Sequence, residues 1–94
     1  MALVRHCVEE GGIIPSRHFR EKLQTERLTY ADAVCVLESG AIYDPPECDI
    51  RTGQWKYRIE GYERTGVWLA VVFTFTDEDE ARLITVFTIQ ERSR

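Results

Sequence analysis

The hydrophobic period changes once along this chain, at Asp44-Pro45-Pro46. Before that point apolar residues recur at helical spacing. Tyr30, Ala33, Val34 and Leu37 fall at i, i+3, i+4 and i+7, one face of a helix with 3.6 residues per turn. After it, Trp55, Tyr57 and Ile59 alternate with Lys56, Arg58 and Glu60, the two-residue period of a half-buried strand. Helices followed by strands within 94 residues predict a single α+β domain over residues 1–94. Its N-terminal helices should pack on one face of a C-terminal antiparallel meander of three to four strands.

The boundaries have chemical reasons. Ser16 is a predicted N-cap for a helix running to about Arg27, with Phe19 and Leu23 on its buried stripe. Thr29 should cap the next helix in a box with Asp32, and Gly40 should end it in a left-handed conformation. A short helix over Leu3–Glu10, closed by Gly11-Gly12, precedes them. Three strands follow, over residues 54–62, 67–76 and 82–90, and Ala41–Asp44 is a candidate edge strand. Glu63-Arg64-Thr65-Gly66 and Asp77-Glu78-Asp79-Glu80 read as four-residue loops, which sets Tyr62 opposite Val67 and Thr76 opposite Ala81. That register puts Trp55, Tyr57, Ile59, Trp68, Ala70, Val72, Thr74, Leu83, Thr85, Phe87 and Ile89 under the helices. It leaves Lys56, Arg58, Glu60, Tyr62, Leu69, Val71, Phe73, Phe75, Arg82, Ile84, Val86 and Thr88 on an open face. A slip of one residue in either hairpin exchanges the sides of a strand.

Composition narrows the function classes. The net charge of −4 argues against indiscriminate nucleic-acid binding, which rewards clustered Lys and Arg. No apolar run reaches the ~18 residues of a membrane helix, and no export signal is visible, so the expected compartment is the cytoplasm. Cys7, Cys35 and Cys48 lack metal or disulfide spacing. With no Gly-rich phosphate loop and no nucleophile elbow either, neither a cofactor nor a metal is expected.

Two groups of residues could carry chemistry. His18 lies near the start of a helix, one turn before Lys22, and has an intrinsic pKa of about 6.5 that suits proton transfer. Arg58 and Glu60 share one side of a strand with Lys56, with Tyr62 beyond them. A guanidinium there can clamp a phosphate, with the carboxylate as base or orienting group. The plain alternatives are an exposed first-turn histidine and a ladder of solvated strand charges.

The order of these features resembles a bacterial family. "SRHFREKLQTERLT" carries the leading His18, "YADAVCVLESGAIYD" supplies the second helix, and "QWKYRIEGYE" contains Arg58, Glu60 and Gly61. "RTGVWLAVVFTF" places Gly66 at a turn before an apolar strand, and "ARLITVFTI" closes the series. Over about residues 16–90 the chain is similar to the domain-of-unknown-function family numbered 4258, which is similar in layout to the BrnT and RelE-type toxins. The resemblance implies a RelE-like fold and a metal-independent ribonuclease toxin of a toxin–antitoxin pair. His18, Arg58 and Glu60 would then be catalytic, and Lys22, Lys56 and Tyr62 would bind substrate. Implied partners are RNA and an antitoxin. Two departures bear on catalysis more than on fold: the chain is acidic where active toxins are basic, and its last strand ends without His or Tyr, offering only Glu91, Arg92 and Arg94.

Two readings of function follow. The first is the ribonuclease. The second is a non-catalytic module whose open sheet face, centred on Leu69, Val71, Phe73 and Val86, takes a protein partner or a second copy of the chain.

Overall fold

The computed structural model describes residues 2–76 and 78–89, so Glu91, Arg92 and Arg94 lie outside the described residues. In chain order the elements are α1 (Ala2–Glu10), β1 (Ile13–Pro15), α2 (Arg17–Thr25), α3 (Tyr30–Ser39), β2 (Glu47–Cys48), β3 (Trp55–Tyr62), β4 (Trp68–Phe75) and β5 (Ala81–Thr88). The fold is α+β. Its five strands form one sheet in the order β1-β5-β4-β3-β2, antiparallel except for β1, which runs parallel to β5. Ala41, expected in an edge strand, makes one antiparallel bridge to Glu60, while the edge strand itself forms at Glu47–Cys48.

Capping sets the helix starts as expected. The Ser16 hydroxyl accepts the Phe19 N–H at 3.1 Å, and Thr29 and Asp32 exchange side-chain-to-backbone bonds in a capping box. Gly40 is a correction. It has φ −78° and ψ −177°, an extended backbone open to any residue. Close approach is what demands a glycine there: a Cβ would stand 2.6 Å from the Glu60 and Val36 carbonyl oxygens.

Hairpin register is the second correction. Tyr62 pairs with Trp68 and Phe75 with Ala81, one residue away from the register that four-residue loops give. Both turns close on a pair four positions apart, Glu63 N–H to Val67 O and Thr76 N–H to Glu80 O. In each, the first side chain accepts backbone N–H groups two and four residues on: Glu63 from Thr65 and Val67, Thr76 from Glu78 and Glu80. Gly66 (φ 93°) and Asp79 (φ 61°) supply the positive-φ step before closure. Val67, strand-like by sequence, therefore belongs to the turn.

The shift exchanges the faces of β4. Leu69, Val71 and Phe73 join Ile59 beneath the helices, all fully buried in the core with Phe19, Val36, Leu37 and Leu83. On β5 a bulge slips the register between Val72 and Phe73, which pair with Thr85 and Leu83, so Ile84 is the extra residue. The Ser16 hydroxyl donates to the freed Ile84 carbonyl at 3.2 Å, tying the bulge to the helix cap. Beyond it Val86 turns into the core while Thr85 and Phe87 turn outward. Leu69, Val71, Phe73 and Val86, expected on the open face, are thus core residues, and Trp68, Ala70, Val72 and Phe87 take their place.

Candidate functional site

Alternation along β3 aims Lys56, Arg58, Glu60 and Tyr62 away from the helices, as the sequence implies. Glu60 is 1% exposed. A carboxylate that far out of water must be held by donors. Arg58 Nε binds one of its oxygens at 2.9 Å, and Trp68 Nε1 donates to the other at 3.0 Å. The corrected register is what brings Trp68 to this face, eight residues along the chain from Glu60.

Arg58 also reaches outward. Its Nη2 lies 2.9 Å from Asp44 Oδ2, on the segment between α3 and β2. That segment is pinned by the reciprocal Ala41–Glu60 backbone bonds and by Tyr43, whose ring packs 5.9 Å from Trp68. Tyr62 meets the same indole edge-on at 4.6 Å. Lys56 pairs with Asp49 Oδ2 at 3.4 Å. The Arg51 backbone N–H and then the Lys56 ammonium hold the Asp49 carboxyl below its ordinary value. Asp44, Glu47, Lys56 and Arg58 line a cleft of about 390 Å³, with Val72 and Phe87 as its apolar lining, and Tyr43, Glu60, Tyr62 and Trp68 line a second one of about 230 Å³.

The other sequence candidates lie elsewhere. His18 is exposed on α2, next to Phe19, which points into the core on the helix side of the sheet. Lys22 pairs with Glu26 on that same helix at 3.5 Å. His18 is thus carried on α2, which packs on β5, whereas Arg58 and Glu60 lie on β3 and face away from the helices. Sequence reasoning missed Asp44, Tyr43 and Trp68. Asp44 carried no signal beyond the period break, and Trp68 depended on the register.

Chemically, Arg58 is fixed from one side by a buried carboxylate and engaged from the other by an exposed one. Glu60 has both oxygens bonded and no solvent access, which suits an orienting role. Among the described residues no three His, Cys, Asp or Glu side chains are placed to hold a metal ion. Nor is any described helix long and apolar enough to cross a membrane.

The architecture and site together define a small α+β domain with helices on one sheet face and an Arg–Glu–Trp cluster on the other. The chain belongs to the domain of unknown function family DUF4258, whose model matches residues 15–88. No curated protein and no solved structure matches it.

Proposed function

We propose that this domain is a RelE- and BrnT-like protein-interaction module whose open sheet face recognises a protein partner, such as an antitoxin, and does not cleave RNA. One observation carries the reading: the Arg58 guanidinium is already neutralised by Glu60 and Asp44. A phosphate clamp needs uncompensated positive charge, and among the described residues the other cation lining the cleft, Lys56, is paired with Asp49. The composition of the face also fits a protein. Tyr, Trp and Arg dominate interface hot spots, and here Tyr43, Tyr62 and Trp68 pack together around one cleft while Arg58, joined to Trp68 through Glu60, lines a second, partly apolar one. The net charge of −4 adds repulsion toward a polyanion.

The ribonuclease reading retains one supporting observation. Tyr43 and Tyr62 are about half exposed and pack on Trp68, whose indole N–H binds the same Glu60 carboxylate as Arg58, and exposed aromatic rings near a guanidinium can stack RNA bases. Selection of a phage-displayed peptide library on the purified chain, run beside an RNA cleavage assay, separates the two. The expected result is enriched binders that are lost on Phe87→Lys, with RNA left intact. Cleavage of RNA that disappears in Arg58→Ala would overturn the interaction reading.

A further inference from the structure

We infer that the cleft lined by Asp44, Glu47 and Arg58 docks a basic segment of a protein partner, an arginine beside an apolar side chain. The inference rests on the protein-recognition reading and names what is recognised. Its ground is the charge left over once the ion pairs are drawn. Glu60 and Asp44 both hold Arg58, and Asp49 holds Lys56, so neither cation lining the cleft is in surplus. Glu47 lines the same cleft, is exposed, and has no ion-pair partner among the described residues. Asp44, Glu47, Asp49 and Glu60 thus stand against Lys56 and Arg58. Counting Arg51, which approaches Asp49 at 3.8 Å, still leaves a carboxylate in excess. A phosphate meets repulsion there, and a guanidinium meets attraction.

The make-up of the cleft selects arginine over lysine. Asp44 meets Arg58 through Oδ2, and its side chain is 59% exposed, so it can accept a second cation. With Glu47 lining the same cleft, a planar fork can bridge two carboxylates that an ammonium meets only as a point charge. Val72 and Phe87 offer apolar contact for the aliphatic stem and for the neighbouring residue. The backbone of β3 adds a third contact. Glu60 exchanges backbone bonds with Ala41 on the side away from β4, and alternation turns the Arg58 N–H and C=O the same way. They lie between the Ala41 bridge and the Glu47–Lys56 pair and have no hydrogen-bond partner among the described residues. Pro45 lines this gap and has no N–H to give. An extended peptide unit crossing the cleft finds a donor and an acceptor there. At about 390 Å³, near the small end of the roughly 300–1,000 Å³ range of ligand pockets, the cleft suits a short segment.

The probes are blocked hexapeptides, Gly-Ser-Leu-Arg-Ser-Gly with its citrulline and Glu counterparts, titrated into the isotope-labelled chain. Citrulline keeps the shape of arginine and drops its charge. Binding is read from the Arg58 backbone N–H and the Val72 methyl signals, which report on the cleft. The Arg peptide should shift both in a saturable way. The citrulline peptide should bind roughly ten-fold more weakly, the loss of about two exposed ion pairs, and the Glu peptide should shift neither signal. Glu47→Gln should weaken the Arg peptide roughly two- to five-fold, the scale of one exposed ion pair, and leave the citrulline peptide unchanged. Glu47 is exposed, so this variant should fold as the parent does. No saturable shift with the Arg peptide, equal binding of the citrulline peptide, or no loss in Glu47→Gln overturns the basic-segment site; Phe87-dependent binders from the library would then still uphold the recognition face. Tighter binding of the Glu peptide overturns it as well. Shifts of the same signals on concentrating the chain alone would put a second copy in the cleft and overturn the partner. Tighter binding of a single-stranded RNA tetranucleotide overturns both readings.

Discussion

Of the two carboxylates on Arg58, only Glu60 is out of water, and the consequences of removing the arginine follow from that difference. Breaking a fully buried ion pair costs roughly 3–5 kcal/mol because the surviving charge is stranded. The Arg58 side chain is 39% exposed, so water can partly replace it, and Arg58→Ala should cost about 2 kcal/mol. Glu60→Gln retains an acceptor for Trp68 and leaves Arg58 its bond to Asp44. It should therefore cost about 1 kcal/mol, the net worth of a typical hydrogen bond. Combined, the two changes remove the stranded charge. The double variant should be no less stable than Arg58→Ala alone, a coupling of about 1 kcal/mol or more in a double-mutant cycle from urea unfolding. Simple additivity of the two losses would show that Glu60 is solvated and that Arg58 is not its counter-charge.

At the level of elements, neighbouring β4 residues should respond in opposite ways. Leu69 is fully buried under the helices, and Val72, three residues on, lines the cleft. Leu69→Ala should cost about 2–5 kcal/mol, whereas Val72→Thr should stay within about 0.5 kcal/mol, both from denaturant midpoints. The reverse order of losses would restore the register that four-residue loops give. The contrast also shows which parts of the fold were legible. Helix limits could be read from Ser16, Thr29 and Asp32 because caps act within one turn. The meander could be read because alternation is local, and Lys56, Arg58 and Glu60 were placed together by their spacing of two. Register could not be read. It turns on Val67 entering a turn through the Glu63 carboxylate, and on a bulge whose Ile84 carbonyl is met by Ser16, 68 positions away. The β1–β5 pairing and the Arg58–Asp44 contact are likewise long-range, so no local pattern announces them. The candidate site was accordingly half visible, with its charged strand in view and its Asp44 and Trp68 partners hidden.

Across the whole molecule, ionisable groups join elements that are far apart in sequence, and this gives stability a definite pH profile. Glu26 accepts the Thr88 N–H at 3.1 Å, fastening the end of α2 to the end of β5, and that bond holds its carboxyl below the ordinary value. Glu63 is held low by the Thr65 hydroxyl and the Val67 N–H at the β3–β4 turn, and Asp49 by Arg51 and Lys56 beside β2. A carboxyl with a depressed folded pKa contributes stability that is fully present above its unfolded value, about 4.3 for Glu and 3.9 for Asp. That contribution is lost as pH falls through the folded values. Cys7 acts at the other end. Burial among α1, α3 and the sheet pushes its thiol up. Its contribution is present below the unfolded value of about 8.5 and is lost as pH rises toward the folded one. Thermal unfolding followed from pH 3 to 10 should therefore give a plateau from about pH 5 to 8, falling on both sides. Glu63→Gln should lower the plateau and flatten the acid limb, because the neutral amide cannot gain from deprotonation. Cys7→Ala should flatten only the alkaline limb. An acid limb as steep in Glu63→Gln as in the parent would mean that the β3–β4 turn does not depend on that carboxylate, and with it would go the account of why Val67 leaves the strand and Trp68 reaches the open face.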